Sequence, residues 1–283
     1  MKLLYAVILG LIQGLTEFIP VSSSGHLALF EMIFKVNLEN QLAFDVMVHM
    51  GTLFAIIIYF KKEVKYLVQT SIKVLQRILD EPGILKEIDK FGSDRLPVLL
   101  VLGTIPFGVA GIVLGEQLHR ASNSPIIIGV MLILVGIVMW FIDKATQVKK
   151  NIANIDYYDG LMIGSSQALA LIKGTSRSGV TIATGRLLGY SLTDSAKFSF
   201  LLGIPSIGMS GVYAILRLIG NPNSVDWSIM IIGFITSFIS GLFAIKILLK
   251  LLSKVGITPF VIYRVAFGTL IIVTTIVLTL LNR

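Results

Sequence analysis

Two polar stretches, each set in apolar sequence, hold the residue types that could do chemistry. The first runs Gln13-Gly14-Leu15-Thr16-Glu17, then Pro20-Val21-Ser22-Ser23-Ser24-Gly25-His26. The second runs Gln167-Ala168-Leu169-Ala170, then Gly174-Thr175-Ser176-Arg177-Ser178-Gly179, with Thr181 behind it. Gln13 and Glu17 are i, i+4 and share one helix face. Each serine-rich turn precedes a helical stretch. Backbone N–H groups at a helix N-terminus, joined by hydroxyls, make an anion cradle. Arg177 adds a planar fork that matches phosphate oxygens. A lone carboxylate beside a phosphate is repulsive unless a divalent cation lies between them, and Mg²⁺ typically takes one or two carboxylates plus substrate phosphates. The constellation spells metal, pyrophosphate and a nucleophile or base.

The elements that must position these residues are membrane elements. The chain has 283 residues, 55% hydrophobic and 14% charged, with a mean hydropathy of +0.87. A soluble domain carries nearer a quarter charged residues. Several apolar runs are long enough to cross roughly 30 Å of hydrocarbon. There are no cysteines, which excludes disulfides and thiolate metal sites. The net charge of +8 fits basic cytoplasmic links, and no nucleic-acid-binding motif accompanies it. The N-terminal apolar run resembles a signal peptide but lacks a small-residue cleavage site, so it reads as retained.

Residues 3–34 are apolar but interrupted by Gln13, Glu17, Pro20 and the serines. Two helical pieces of about 15 residues cannot each span the bilayer, so they read as a re-entrant hairpin. Residues 157–190 read as a second one. Spans are expected at 42–60, 96–115, 125–143, 196–216, 228–249 and 259–281, with a bend at Pro106 and a break at Gly203-Ile204-Pro205. The segment 61–95 holds eight basic and six acidic residues, and Val64, Leu67, Val68, Ile72, Leu75, Ile78 and Leu79 recur at helical spacing. It reads as an amphipathic helix on the membrane surface, ended by Pro82-Gly83.

The positive-inside rule puts links 61–95, 144–156 and 246–258 in the cytoplasm and links 116–124 and 217–227 outside. Both termini then lie outside, and the two hairpins enter from opposite sides. Sliding residues 10–26 onto 164–180, an offset of 154, makes six of seventeen positions identical: Gly10/Gly164, Gln13/Gln167, Leu15/Leu169, Ser22/Ser176, Ser24/Ser178 and Gly25/Gly179. Charge and motif therefore demand the same architecture. It is an all-α polytopic membrane protein of six transmembrane helices and two re-entrant helical hairpins. It forms a single membrane domain with an inverted-topology repeat, the first half about 1–143 and the second about 157–283. Such duplications place their site near the midplane, where discontinuous helices meet. The hairpin tips are expected to touch, with Glu17 and Arg177 in one hydrated pocket. Unpaired, each would cost about 2.5–3.5 kcal/mol at depth.

The chain resembles the undecaprenyl-pyrophosphate phosphatase family, also called bacitracin-resistance proteins, along nearly its whole length. The family's Glu/Gln-rich first motif stands here as Gln13 to Glu17, with its Ser-Ser-Gly-His turn at Ser23 to His26. Its proline-glycine-x-serine-arginine-serine motif stands as Lys173 to Ser178. Gln13 occupies a position where many relatives have Glu, so no essential negative charge sits there. Lys173 replaces the motif proline, which bears on the stiffness of that turn and not on its chemistry. The resemblance implies a bacterial inner-membrane enzyme that removes one phosphate from undecaprenyl pyrophosphate outside the cytoplasm. It implies dependence on a divalent cation, Mg²⁺ or Ca²⁺, and a role in recycling the cell-wall lipid carrier and in bacitracin resistance.

The roles expected are these. Glu17 binds metal or acts as base. Arg177 clamps the transferring phosphoryl. Ser23 attacks with His26 as its activating base, with direct attack by His26 or by water as the alternatives. Gln13, Ser22, Ser24, Gly25, Gly174, Thr175, Ser176, Ser178 and Thr181 bind the substrate. Gln13 is equally readable as hydrogen-bonding glue between helices, and Ser22 and Ser24 as helix caps. His49 reads as a packed or satisfied histidine, and His119 and Arg120 as solvated loop residues. The partners are a polyprenyl pyrophosphate and the bilayer, with no nucleic acid, and a homodimer is left open. The rival function is a transporter or flippase of polyprenyl phosphates, since inverted repeats with broken helices are shared by many transporters.

Overall fold

In a computed structural model, residues 2–34, 40–80, 92, 94–219 and 226–281 are described. Among them every regular element is helical. A hairpin of α1 (Lys2–Phe18) and α2 (Ser23–Phe34) is followed by α3 (Gln41–Tyr59), α4 (Lys61–Asp80), α5 (Leu96–Ala121) and α6 (Pro125–Ala145). A second hairpin follows: α7 (Tyr157–Ser166), a 3₁₀ turn (Gln167–Leu171) and α8 (Arg177–Leu187). The chain ends in α9 (Leu192–Ile219), α10 (Trp227–Val255) and α11 (Thr258–Leu281).

The six expected spans fall on α3, α5, α6, α9, α10 and α11. Four of these, α5, α6, α10 and α11, are long and apolar enough to cross a membrane, and the bent pair α3–α4 makes a fifth. Their outer faces carry large exposed apolar side chains, among them Ile112, Phe141, Phe243 and Leu278. Contiguous apolar surface on this scale belongs against lipid, not water. The chain is a multi-pass membrane protein. α3 and α9 differ in carrying polar side chains that are buried or half-buried: Asp45 and His49 on one, Ser199 and Ser206 on the other.

α4 turns away from α3 by 89°. Leu67, Thr70 and Val74 are its buried residues. Val68, Ile72, Leu75 and Leu79 stay exposed beside its lysines. This is the amphipathic helix that its periodicity predicts. Its expected end at Pro82-Gly83, and the outer link 217–227 for all but its edges, lie outside the described residues.

The expected break at Gly203-Ile204-Pro205 does not occur. α9 runs through Pro205 without interruption, as α5 runs through Pro106. Proline removes one backbone donor, and inside a packed membrane bundle neighbouring groups absorb that loss. Gly203 makes room all the same: a Cβ there would stand 2.7 Å from Nη1 of Arg177.

Glycines set the closest helix crossings. α1 lies on α10, where a Cβ on Gly10 would stand 2.8 Å from the Gly233 carbonyl oxygen, and one on Gly14 would overlap Ser240 Oγ. α7 lies on α5, where a Cβ on Gly164 would overlap the Gly103 backbone. α6 and α11 cross at Gly129 and Gly268, each within 3 Å of the other's carbonyl by the same construction. Small residues allow this approach, and close van der Waals contact drives helix association in lipid. Beneath the hairpins, Phe18 meets Phe200 edge-on with ring centroids 5.3 Å apart.

The link before the second hairpin is tied down by charge. Lys150 Nζ donates to both carboxylate oxygens of Asp159, at 2.8 and 2.7 Å, and Tyr190 donates to the same group. The hydrogen bond to Asp159 raises the Lys150 ammonium above the usual lysine range. Arg186 donates through Nε to Asp143 at 2.8 Å, joining α8 to α6.

Candidate active site

Both serine turns are built alike. Ser22 and Ser176, matched in the sequence repeat, are the only non-glycine residues with positive φ among those described, at 73° and 77°. An L-residue rarely takes this conformation, so surrounding structure must hold it there. In each turn the serine caps the following helix. Gly25 N–H donates to Ser22 Oγ at 3.4 Å, and Gly179 N–H donates to Ser176 Oγ at 3.1 Å. Ser22 and Ser24 hydroxyls lie 3.4 Å apart, and Ser176 and Ser178 hydroxyls 3.2 Å apart. His26 N–H donates to the Ser22 carbonyl, and Val180 N–H donates to the Ser176 carbonyl. The helices leading in differ. α1 runs unbroken past Gln13, whereas α7 gives way to a 3₁₀ turn at Gln167.

The two turns meet. A Cβ on Gly25 would stand 3.6 Å from Gly174 Cα. Glu17, at the end of α1, gathers groups from both hairpins. Its Oε2 accepts from Ser23 Oγ at 2.8 Å and from Gln13 Nε2 at 3.0 Å. Its Oε1 accepts from Arg177 Nη2 at 3.2 Å. Its backbone carbonyl accepts from Ser178 Oγ at 3.2 Å. Glu17 and Arg177 side chains are only 7% and 10% exposed, so each ion supplies the counter-charge the other needs. Arg177 also donates through Nη1 to the Ser199 carbonyl at 3.3 Å. Thr181 Oγ1 donates to the Arg177 carbonyl at 2.8 Å and lies 2.6 Å from Ser199 Oγ.

The ion pair and Ser23 line a cavity of about 320 Å³. Glu17, Ser23, Ser24, Ser176 and Arg177 face it from the hairpins, and Asp45, His49, Ser206 and Ser210 from α3 and α9. Gln13, Ser22, Gly25, Gly174, Thr175, Ser178 and Thr181 do not line it; they stand behind it in the packed turns. His26 is also elsewhere. Its Nδ1 lies 2.8 Å from the Ser22 carbonyl, and its Nε2 lies 2.7 Å from Tyr263 Oη. Its ring stacks on Phe267 with centroids 4.6 Å apart. Neither nitrogen reaches Ser23, whose hydroxyl is held by Glu17 instead.

Two residues gain importance that the sequence reading did not give them. Arg264 on α11 is fully buried. It donates to the Pro20 carbonyl at 2.9 Å in the first turn and to the Gly174 and Thr175 carbonyls at 3.0 Å in the second. Bonds to the Leu132 and Met131 carbonyls complete its fork. One guanidinium thus pins both turns to α6 and α11. The signal was present, an arginine alone inside the apolar run 259–281, where an ionisable group must have a partner. His49 is satisfied, as its reading held: Nδ1 lies 2.7 Å from the Asp45 carbonyl. A carbonyl only accepts, so Nδ1 carries a proton. The ring also faces the cavity.

Among the described residues no cluster of three or more His, Asp or Glu side chains could hold a metal ion alone. Beside Glu17, however, Gln13 Oε1 is buried without a hydrogen-bond partner. A carboxylate and an amide oxygen are hard donors suited to Mg²⁺ or Ca²⁺, with water and phosphate oxygens completing the shell.

The family model described as bacitracin resistance protein BacA matches residues 6–270. Undecaprenyl-diphosphatase 2 of Stutzerimonas stutzeri (strain A1501) is 41% identical over 277 residues, covering 96% of this chain and 98% of that one. Undecaprenyl-diphosphatase 1 of Pseudoalteromonas translucida (strain TAC 125) is 39% identical over 274 residues, covering 96% and 98%. The undecaprenyl-diphosphatase of Saccharophagus degradans is 40% identical over 268 residues, covering 95% and 96%. With a match of this extent laid over a paired carboxylate and guanidinium between two serine turns, the chain belongs to the bacitracin resistance protein BacA family.

Proposed function

We propose that this protein hydrolyses undecaprenyl diphosphate to undecaprenyl phosphate and inorganic phosphate in the bacterial membrane, with its centre at the Glu17–Arg177 pair. Full-length relatives named for that activity support the reaction. The observation that carries the site is the joining of Ser23, Glu17 and Arg177, from two distant stretches of chain, in one cavity. The transporter alternative is not favoured, since the matched relatives are named as hydrolases.

Ser23 Oγ–H already points at a carboxylate, so Glu17 is the base for its attack. Its oxygen bonds to the terminal phosphorus, the bridging P–O bond breaks, and undecaprenyl phosphate leaves. Glu17 passes that proton to the leaving phosphate, then takes one from a water that attacks the phosphoserine; the P–Oγ bond breaks, inorganic phosphate leaves, and Glu17 returns the proton to Ser23 Oγ. Arg177, Ser24 and Ser176 stabilise the equatorial oxygens, the dominant contribution in phosphoryl transfer. Ser22, Gly25, Gly174, Thr175, Ser178 and Thr181 shape and hold the turns that carry these groups. His26 anchors α2 to α11 through Tyr263. Glu17, which lines the cavity, would hold a divalent cation, which would neutralise phosphate charge when bound.

The arrangement in the membrane is six spans, α3, α5, α6, α9, α10 and α11, with the two hairpins entering from opposite faces as an inverted repeat. Support comes from the matched positive-φ serines and from the reciprocal packing of α1 on α10 and α7 on α5. The basic links then put the site's mouth outside the cytoplasm of a bacterial inner membrane.

The test is phosphate release by detergent-purified protein given a polyprenyl diphosphate and Mg²⁺, with and without chelator. Release that stops on chelation and on Ser23→Ala is expected. A Ser23→Ala protein that turns over at the wild-type rate would remove the serine from the mechanism.

A further inference from the structure

The cavity at Glu17 and Arg177 does not end at its polar wall. A second cavity of about 240 Å³ adjoins it, and Phe107, Leu171 and Ser210 line both. The second is apolar, bounded by Gly108, Gly111 and Ile112 of α5 and by Met209 of α9. Ile112 at its rim is 81% exposed on the lipid-facing side of the molecule. The path therefore runs from the ion pair, past Phe107 and Leu171, out between α5 and α9.

The described glycines differ in what surrounds them. Those at helix crossings press on neighbouring backbone, as Gly10, Gly129 and Gly164 do. Those along this path do not. A Cβ on Gly108 would meet only the flexible end of Met209, at 2.9 Å, and one on Gly111 nothing nearer than Leu171 Cδ2 at 4.0 Å. The small residues here leave space open and do not close a contact.

We infer that the opening between α5 and α9 takes the isoprenoid chain of the substrate, its first units lying across Gly108 and Gly111 and the rest in the bilayer. This rests on the diphosphatase reading of the polar cavity. A diphosphate seated at Arg177 needs an apolar exit for the chain bonded to it, and burial of that chain is favourable only along an apolar wall. The larger apolar groove between α2 and α11, lined by Met32, Phe267 and Leu278 among others, shares no lining residue with the polar cavity. A chain lying there could not be continuous with a head group at Glu17.

The experiment compares Gly111→Phe and Gly111→Ala with wild type on undecaprenyl diphosphate and on methyl diphosphate, a short, water-soluble diphosphate with no isoprenoid unit to reach Gly111. Gly111→Phe should lower kcat/KM for the long substrate by about tenfold or more, chiefly through KM, and leave the short one within about twofold. Gly111→Ala should lie between. A second readout needs no turnover. The chain lacks cysteine, so Ile112→Cys and Thr275→Cys give single labelling sites, one at each apolar opening. A methylene-bridged undecaprenyl diphosphonate should slow maleimide labelling of Ile112→Cys and not of Thr275→Cys. Protection of Thr275→Cys alone, or equal losses on long and short substrates, overturns the inference. Absence of phosphate release by wild type on either substrate would instead strike the diphosphatase reading, while the labelling result still decides the tail's path.

Discussion

At the scale of single residues, the proposed chemistry rests on Glu17 and Arg177. Each is a buried ion whose partner is the other, so neither can be changed in isolation without exposing an unpaired charge. Arg177→Ala is expected to lower kcat by about 10²–10³-fold, the usual cost of losing one preorganised donor to a developing anion. Arg177→Lys should not restore it, because an ammonium cannot span Glu17 and a phosphoryl oxygen together as a fork does. Steady-state phosphate release measures both. Arg264 makes a different demand. Its five bonds all go to backbone carbonyls, so Arg264→Gln should leave buried acceptors bare and cost about 1–3 kcal/mol for each one left unsatisfied, read as a lower melting temperature in detergent. The ion pair was legible in the sequence, because ionisable residues in apolar runs announce themselves. The engagement of Arg264 was not, since carbonyls carry no sequence signature. The pairing of Ser23 with His26 was inferred from three residues of spacing. It fails to form because Tyr263 and Phe267, some 240 positions away, hold the imidazole, and nothing local in the chain encodes that.

At the scale of elements, the two serine turns and the glycine crossings do the positioning. Gly10 and Gly164 are matched in the repeat and pack on α10 and α5 respectively. Gly10→Leu and Gly164→Leu should therefore destabilise alike, by about 1–3 kcal/mol each as overpacked sites. Gly115→Leu, where a Cβ meets nothing within 4 Å, should not. Thermal unfolding in detergent distinguishes them, and a tolerant Gly164→Leu would mean that α7 does not lie on α5 as described. Helix existence and length were readable from apolar run length alone. The continuity of α9 through Pro205 was not, because a proline breaks a helix only when its neighbours leave the freed carbonyl bare. Likewise the 3₁₀ turn at Gln167 has no counterpart at Gln13, although both sit in similar sequence. Gln167 is drawn out to accept from Ser206 Oγ at 2.8 Å, a contact supplied by α9 and not by its own stretch.

At the scale of the whole molecule, the account requires opposed halves with the site open to the outside. Single cysteines at Ala121 and Lys149, both exposed, should separate the two sides. In intact cells a membrane-impermeant maleimide should label Ala121→Cys at once and Lys149→Cys only after lysis. The proposed inverted plan is argued from charge bias and motif repeat, two independent signals that agree. The path of the lipid chain was not, since it depends on where glycines leave space between helices, which only packing decides. The central claim is that a carboxylate and a guanidinium from the two hairpins act as one hydrolytic centre. The most direct measurement is phosphate release from undecaprenyl diphosphate by purified wild type, Glu17→Gln and Arg177→Ala. The expected result is turnover by wild type and a loss of about 10²-fold or more in both variants. Near wild-type turnover in both would contradict the claim.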